Sequence, residues 1–178
     1  YQDEIEWLIT DSRRNKFICD LAKSTKGNTL ILFQFVEKHG KVLHEMLKNC
    51  GKPVFFIHGG TDVEQREHAR NIAEKIDDGI ILASYGTFST GINIRRLNNI
   101  VFASLSKSRV RVLQSIGRQL RKSSNKSTAR LYDICYDLSW KKYENHTLRH
   151  FYDRKKIYDA EGFTYKIIKI PLQGERNG

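Results

Sequence analysis

Proline is nearly missing from this 178-residue chain: there are two, Pro53 and Pro171. No proline-rich linker divides it, and no internal repeat or low-complexity tract is present. At about 150 residues per domain, the length fits one domain with an appendage. Cysteine is scarce as well, with Cys19, Cys50 and Cys135 far apart. An odd number at wide spacing excludes a disulfide framework and points to a reducing, cytoplasmic compartment. Without a C-x-x-C pair, no structural zinc site is expected. No run approaches the ~20 apolar residues that a bilayer span needs. The phosphate-loop pattern G-x-x-x-x-G-K-S/T is absent, so this stretch alone is not expected to hold a nucleoside triphosphate in the usual way. His146 and His150 stand four apart, but Thr147 occupies the place where a metalloprotease helix needs Glu. No Ser/His/Asp or Cys/His arrangement marks a hydrolase. The chain opens on Tyr1-Gln2-Asp3-Glu4, with no initiator Met and no signal-peptide pattern, and reads as a piece of a longer protein.

What is present begins with charge. The net charge is +11, and residues 107–156 carry almost all of the excess, with 14 Lys and Arg against 4 acids. A basic half of this kind fits a polyanionic partner, because neutralised phosphates release counterions. A solvated basic face that serves solubility is the other meaning of the same count. Hydrophobic residues make up 39% of the chain, enough for a core.

Helical and apolar segments alternate. Asp11 or Ser12 caps a helix whose Phe17, Ile18, Leu21 and Ala22 share a face, and Gly27-Asn28 ends it. Residues 29–35 form a near-continuous apolar run suited to a strand buried on both faces. Val42, Leu43, Met46 and Leu47 mark the next helix, and Val54–Ile57 the next strand. Thr61 to Glu64 has capping-box spacing ahead of Ala69, Ile72, Ala73 and Ile76. Ile80–Ala83 is a strand, 84–91 a loop of small residues, and Ile100–Ala103 a fourth strand. Leu113, Ile116, Gly117 and Leu120 line a helix, and Leu131–Leu138 supply a fifth strand. Such alternation predicts an α/β fold, a parallel sheet with helices on both faces. The composition changes after Leu138. Residues 139–178 are expected to form a helix–strand appendage on a domain of residues 1–138. Its helix spans Trp140 to Tyr158 with Tyr143, Leu148, Phe151 and Tyr152 as apolar positions, and its strand alternates Phe163, Tyr165 and Ile167.

In open parallel sheets, ligands gather at the carboxyl ends of the strands. Three segments there are candidates. His58-Gly59-Gly60-Thr61 runs from a strand into a helix N-terminus, which suits a phosphate; a plain glycine turn is the commoner meaning. Residues 83–93 bring Ser84, Thr87, Ser89, Thr90, Gly86 and Gly91 to a strand end, as a ligand loop or as caps and turns. Gln114, Gly117, Arg118 and Arg121 share one helix face, so two guanidiniums stand a turn apart as a fork for phosphate oxygens. A solvated basic face is the alternative, although Leu113, Ile116 and Leu120 anchor the opposite side.

In this order the segments resemble the motifs of the second RecA-like domain of superfamily-two helicases and translocases, over roughly residues 10–138. Leu30-Ile31-Leu32-Phe33-Gln34 is similar to motif four, and His58-Gly59 with Arg66 to the motif that follows. Ala83-Ser84 through Gly91-Ile92-Asn93 is similar to motif five, and Gln114-x-x-Gly117-Arg118-x-x-Arg121 to motif six. The resemblance implies ATP with Mg²⁺ bound between two RecA-like domains, the phosphate loop and metal ligands lying on an N-terminal domain. It implies that Arg121 is the arginine finger with Arg118 beside it, that Gln114 orders the interdomain face, and that Gly91 and Asn93 approach the nucleotide. Many relatives carry Asp at the position of Asn93, so its role departs from the family pattern. Gln34, Gly59, Gly60 and Ser84 would contact the nucleic-acid backbone, independently of sequence.

The aromatic, basic tail is similar to that of phage members of the family. That likeness implies DNA, in branched intermediates of recombination, repair and replication, and a host-cell cytoplasmic location; RNA stays open. Lys141, Lys142, Arg149, Arg154, Lys155 and Lys156 are expected to grip nucleic acid, and the rings of the tail to pack. The isolated chain is expected to hydrolyse no ATP. The competing reading is a non-catalytic α/β module that only binds nucleic acid.

Overall fold

The structure is a computed structural model, and it describes residues 1–89, 96–104 and 129–171. Five strands form one wholly parallel sheet: β1 (Thr29–Phe33), β2 (Val54–Ile57), β3 (Ile80–Ser84), β4 (Asn99–Phe102) and β5 (Arg130–Asp133). Their order is β2-β3-β1-β4-β5, which puts β1 at the centre. Every residue of β1, β3 and β4 is buried, whereas β2 and β5 at the two edges are partly exposed. That difference follows from their composition. Strands with a layer on each face need apolar residues at every position, and Leu30-Ile31-Leu32-Phe33 supplies them.

Among the described residues the helices are α1 (Gln2–Thr10), α2 (Ser12–Ser24), α3 (Lys41–Leu47), α4 (Val63–Ala73), α5 (Tyr85–Ser89) and α6 (His146–Ala160), with a π-helical turn, Val36–Gly40, leading into α3. Alternate residues of β1 face opposite cores. Leu30 and Leu32 meet Ala69 and Ala73 of α4 and Tyr158 of α6. Ile31 and Phe33 meet Ile18, Cys19 and Ala22 of α2 and Leu43 and Leu47 of α3. The expected sheet with helices on both faces is therefore what forms.

Local chemistry sets the element ends. The Asp11 side chain caps α2 by accepting from the Arg13 amide. Gly27 turns the chain out of α2 at φ +85°, where a Cβ would lie 2.4 Å from the Asn98 side chain. At α4 the cap is Asp62, which accepts from the Gln65 amide at 2.8 Å. The expected Thr61–Glu64 capping box does not form, because Thr61 Oγ1 accepts from the His58 amide instead.

Further differences concern the ends of the chain. Residues 2–10, which carry no strong apolar period, form α1. Residues 85–89 form the short α5 rather than loop. The last helix begins at His146, so Tyr143 lies outside it, and residues 163–171 form no strand. Helix α6 does not end its ties at the sheet surface. Its Arg154 makes a bidentate pair with Asp133 at the end of β5, at 2.7 and 3.0 Å, and Tyr158 donates to the same carboxylate at 2.6 Å. The N-terminus of α6 is capped from another helix. The Glu4 carboxylate accepts from the amides of His146 and Thr147, from Thr147 Oγ1 and from Asn145 Nδ2. Burial would raise the Glu4 carboxyl, but the hydrogen bonds from Thr147, Asn145 and His146 outweigh it and hold it below the ordinary carboxylate range.

Arg154 and Asp133 are both buried, so removing one partner strands the other charge in a dry site. Arg154→Ala should lower unfolding free energy by about 3–5 kcal/mol in urea titration. A loss below about 1 kcal/mol would show that the pair is not what docks α6.

Candidate functional site

Parallel pairing aligns the carboxyl ends of three neighbouring strands. Phe33 pairs with Ser84 and Ile57 with Ala83, so Gln34, His58 and Ser84 emerge level at one edge of the sheet. The segment 58–61 and the start of 83–93 thus meet Gln34 where the topology places ligands, and the segment 114–121 lies outside the described residues. Gln34 is exposed, as are Gly59 and Gly60. Ser84 is 8% exposed, and its hydroxyl is engaged at 2.7 Å with Thr87 Oγ1 and accepts the Thr87 amide, which starts α5. Gly91, Asn93, Gln114, Arg118 and Arg121 lie outside the described residues.

The turn after β2 is built by its own side chains. His58 Nδ1 accepts the Gly60 amide at 3.1 Å, and the Thr61 amide donates to the His58 carbonyl at 2.9 Å. The Gly59 amide donates to no acceptor among the described residues, and nothing lies within 4 Å of where its Cβ would be. The loop therefore offers one open amide at a place a backbone can approach closely. Behind it the Phe56 ring stacks with His44 (centroids 5.0 Å, 9°) and Phe33 (5.6 Å, 27°) and touches His58 at 5.1 Å. Arg66 turns its Nε toward the Asp62 carbonyl at 3.4 Å, along α4.

Gln34 is held by a polar network that no sequence pattern revealed. Its amide donates to Ser104 Oγ at 3.0 Å; Ser104 Oγ lies 2.9 Å from His39 Nδ1; His39 Nε2 lies 3.1 Å from Asn15 Oδ1; Asn15 Nδ2 donates to the Ile9 carbonyl at 2.8 Å. An amide oxygen only accepts, so His39 carries its proton on Nε2, and Ser104 donates to Nδ1. Burial first, and the charge of Arg14 second, push the His39 imidazole down to about 3. Arg14 Nη2 donates to the Ala103 carbonyl, a second tie to the end of β4. The π-helical turn makes this possible. The Gly40 amide reaches back five residues to the Phe35 carbonyl, which turns His39 inward and seats Gly40 on the Phe33 ring. A Cβ at Gly40 would stand 2.5 Å from that ring. In sequence, Glu37-Lys38-His39-Gly40 reads as a polar surface segment, and only the glycine hinted otherwise.

The tail divides. Leu148 and Tyr158 are buried, as expected of rings and apolar groups that pack, and Phe151 is half-buried. Trp140 and Tyr143 are 73% and 69% exposed. Of the six tail cations, Arg154 is consumed by Asp133, which removes it from the expected nucleic-acid contacts. Lys155 and Lys156 pair with Asp159 and Asp153 at the surface.

A model of the helicase conserved C-terminal domain matches residues 13–123. The ATP-dependent DNA helicase uvsW of Enterobacteria phage T4 is 37% identical over 185 residues, covering 97% of this chain and 37% of that protein. The ATP-dependent RNA helicase uap56 of Schizosaccharomyces pombe is 27% identical over 110 residues, 62% of this chain and 25% of its own length. The crystal structure of T4 UvsW superposes with a TM-score of 0.79 at 36% identity, over 97% of this chain and 37% of that one. A DEAD box protein from the hyperthermophile Methanococcus jannaschii superposes with a TM-score of 0.61 at 20% identity, over 90% of this chain and 40% of its own, a likeness of fold. The chain thus spans well under half the length of these relatives.

The buried imidazole makes the frame of the site acid-sensitive. His39 stays neutral in the fold while the unfolded chain takes up a proton near pH 6.5. Its stabilising contribution is therefore complete above that pH and is lost as pH falls from 6.5 toward 3, by about 1.4 kcal/mol per unit. Urea midpoints between pH 7.5 and 5 should fall for the parent, and His39→Gln should flatten that dependence while costing about 1–3 kcal/mol at pH 7.5. An unchanged slope in the variant would remove His39 as the cause.

Proposed function

The chain belongs to the helicase conserved C-terminal domain family, and on that premise we propose that it is the C-terminal, RecA-like motor half of an ATP-dependent DNA helicase or translocase. The observation that carries the reading is the level carboxyl edge, where Gln34, the open Gly59 amide and the turn set by Ser84 lie side by side. Amides and polar side chains there suit the phosphates and sugars of a tracked strand, with no reading of bases. Gln34 and Gly59–Gly60 supply the contacts. Ser84, whose hydroxyl is already engaged, supplies the shape of the turn.

The partner completing the nucleotide site is an N-terminal RecA-like domain of the same protein, which would bring the phosphate loop and the Mg²⁺ ligands that this chain lacks. ATP with Mg²⁺, bound there, supplies the phosphoanhydride whose hydrolysis drives movement. Arg121 places a guanidinium toward the charge that develops on the transferring phosphoryl oxygens, and Arg118 flanks it one turn away. Gln114 orders the face between the domains. Gly91 lets backbone come close to the nucleotide, and Asn93 offers hydrogen bonds without the charge of an Asp. Phosphate oxygens across the cleft would give both guanidiniums an anionic partner and so favour its closed state.

The polymer is proposed to be DNA, from the likeness to the phage DNA helicase, with branched intermediates of recombination, repair and replication as substrates; the Schizosaccharomyces pombe relative is an RNA helicase. Residues 139–178 are proposed as an appendage docked on the motor domain of residues 1–138. The proposed location is cytoplasmic, that of the host cell for a phage protein. No described helix is long and apolar enough to cross a membrane.

Arg121→Ala in the full-length protein should lower ATP turnover by about 10³–10⁵-fold and leave DNA affinity nearly intact. The opposite pattern, in which Arg118 and Arg121 substitutions shift DNA affinity and its salt slope while turnover stays, would favour a binding module without catalysis.

A further inference from the structure

Between β5 and α6 the chain makes a tight turn with unusual contents. The amide of Trp140 donates to the carbonyl of Tyr143 and the amide of Tyr143 to the carbonyl of Trp140, each at 3.0 Å. Lys141, at the tip, has φ +54°, and it is the one non-glycine residue in the left-handed region among those described. Holding a lysine there costs about 1–2 kcal/mol. The two rings are 73% and 69% exposed, the largest exposures of any aromatic residue described. A Trp or Tyr can bury about 150–250 Å² of surface, so leaving both in water forfeits a large stabilisation. Strain and exposed aromatic surface therefore coincide on one four-residue tip.

The tip stands on a rigid base. Asn145 accepts the Leu138 amide at 2.9 Å and donates to the Tyr136 carbonyl and to Glu4, and Asp137 accepts the Ser139 amide at 3.0 Å. The Tyr136 ring packs edge-on against Trp7, and its hydroxyl donates to Asp11. The rings are thus held out from a fixed platform. The turn itself carries two cations, Lys141 and Lys142, and no anion; Lys142 Nζ lies 5.8 Å from the centroid of the Tyr143 ring. Asp137 and Glu144 flank it.

From the rings, the cations and the strained tip, we propose that the Trp140–Tyr143 turn is a stacking site for an unpaired nucleobase. Trp140 and Tyr143 offer ring faces to the base, and Lys141 and Lys142 meet the phosphates beside it. Both rings can engage a base only when it has left its pair, so the ligand is a single strand or the unpaired arm of a junction, and not paired duplex, whether blunt-ended or continuous. Every base has a π-face, so the site is indifferent to sequence, as the backbone contacts at the sheet edge are. The inference rests on the nucleic-acid reading above and adds to it the turn that meets the unpaired bases of such substrates.

The test uses the full-length protein without nucleotide, a forked DNA with 2-aminopurine at its first unpaired position, and a blunt duplex of equal length. Wild-type protein should quench the probe on binding. Trp140→Ala/Tyr143→Ala should abolish the quench and weaken fork binding about tenfold or more, with blunt-duplex affinity within about twofold and an unchanged melting temperature, while Trp140→Phe/Tyr143→Phe keeps the quench. Lys141→Ala/Lys142→Ala should weaken binding to both DNAs and reduce the salt slope. Equal fork affinity and quench in the Ala double variant overturns the stacking site and leaves the motor reading standing. Equal losses on fork and blunt duplex, or a loss of ATP turnover measured without DNA, also overturn it, the latter by showing that the tip docks on another part of the protein. Absence of DNA binding by the wild type would sink the motor reading and this inference with it.

Discussion

One neutral imidazole fastens the working edge of the sheet to the helices behind it. His39 can donate to Asn15 only through Nε2, so Nδ1 must accept, so Ser104 must donate, and its lone pairs are then left for the Gln34 amide. A single proton placement fixes partners on α2, on the segment after β4 and on the segment after β1. The neighbouring Arg14 makes the alternative expensive, because a second proton on the ring would set two cations side by side in the interior. The network is fully satisfied in one protonation state only. Such networks define a geometry more sharply than apolar packing does, at the cost of failing abruptly when one member is removed.

The central layer of this fold is legible in the sequence because its chemistry is local. Leu30 to Phe33, Ile80 to Ala83 and Ile100 to Phe102 need no partner to announce strands buried on both faces, and Gly27-Asn28 announces its own turn. What stayed hidden depends on residues far apart. Glu4 caps a helix that starts more than 140 positions later, so neither Gln2–Thr10 nor the start of α6 carries the signal by itself. Asn145 occupies the cap position of α6 but turns its side chain to Leu138, Tyr136 and Glu4, leaving the capping to the distant carboxylate. The alternation of Phe163, Tyr165 and Ile167 suggested a strand; β-propensity measures fit to a neighbour, and no ladder partner is present among the described residues. At the candidate site the same division holds. Glycines and strand ends located Gln34, Gly59 and Gly60, whereas the burial of the Ser84 hydroxyl follows from Thr87 and α5, which the small residues of 84–91 disguised as loop.

The two ends of the chain lock together around these long-range contacts. Glu4 and Asp11, from either end of α1, engage Thr147 and Tyr136, while Tyr1 lies edge-on to the rings of His146 and His150. At the far end of α6, Arg154 and Tyr158 converge on Asp133. A helix rich in Lys and Arg is thereby bound by carboxylates, to α1 at its first turn and to the sheet at its third. Among the described residues, Asp133 and Asp153 are committed to Arg154 and Lys156. The positive field of residues 107–156 comes from 14 Lys and Arg against 4 acids.

This field bears on how the proposed motor works. Ten of the eleven net charges lie in fifty residues that include Arg118 and Arg121. If these two side chains face a second domain across a cleft, closing the cleft desolvates two guanidiniums, an unfavourable step for unpaired cations. The same step becomes favourable once phosphate oxygens stand opposite, because charge-assisted hydrogen bonds strengthen as water leaves. Closure would then be conditional on an anion by electrostatics alone, with no separate latch. The framework behind the strand ends has the complementary property: its ring is neutral and its hydrogen bonds are internal, so no external charge is needed to hold its geometry. A motor needs both, one face whose energy changes with its ligand and one that holds the track while it does.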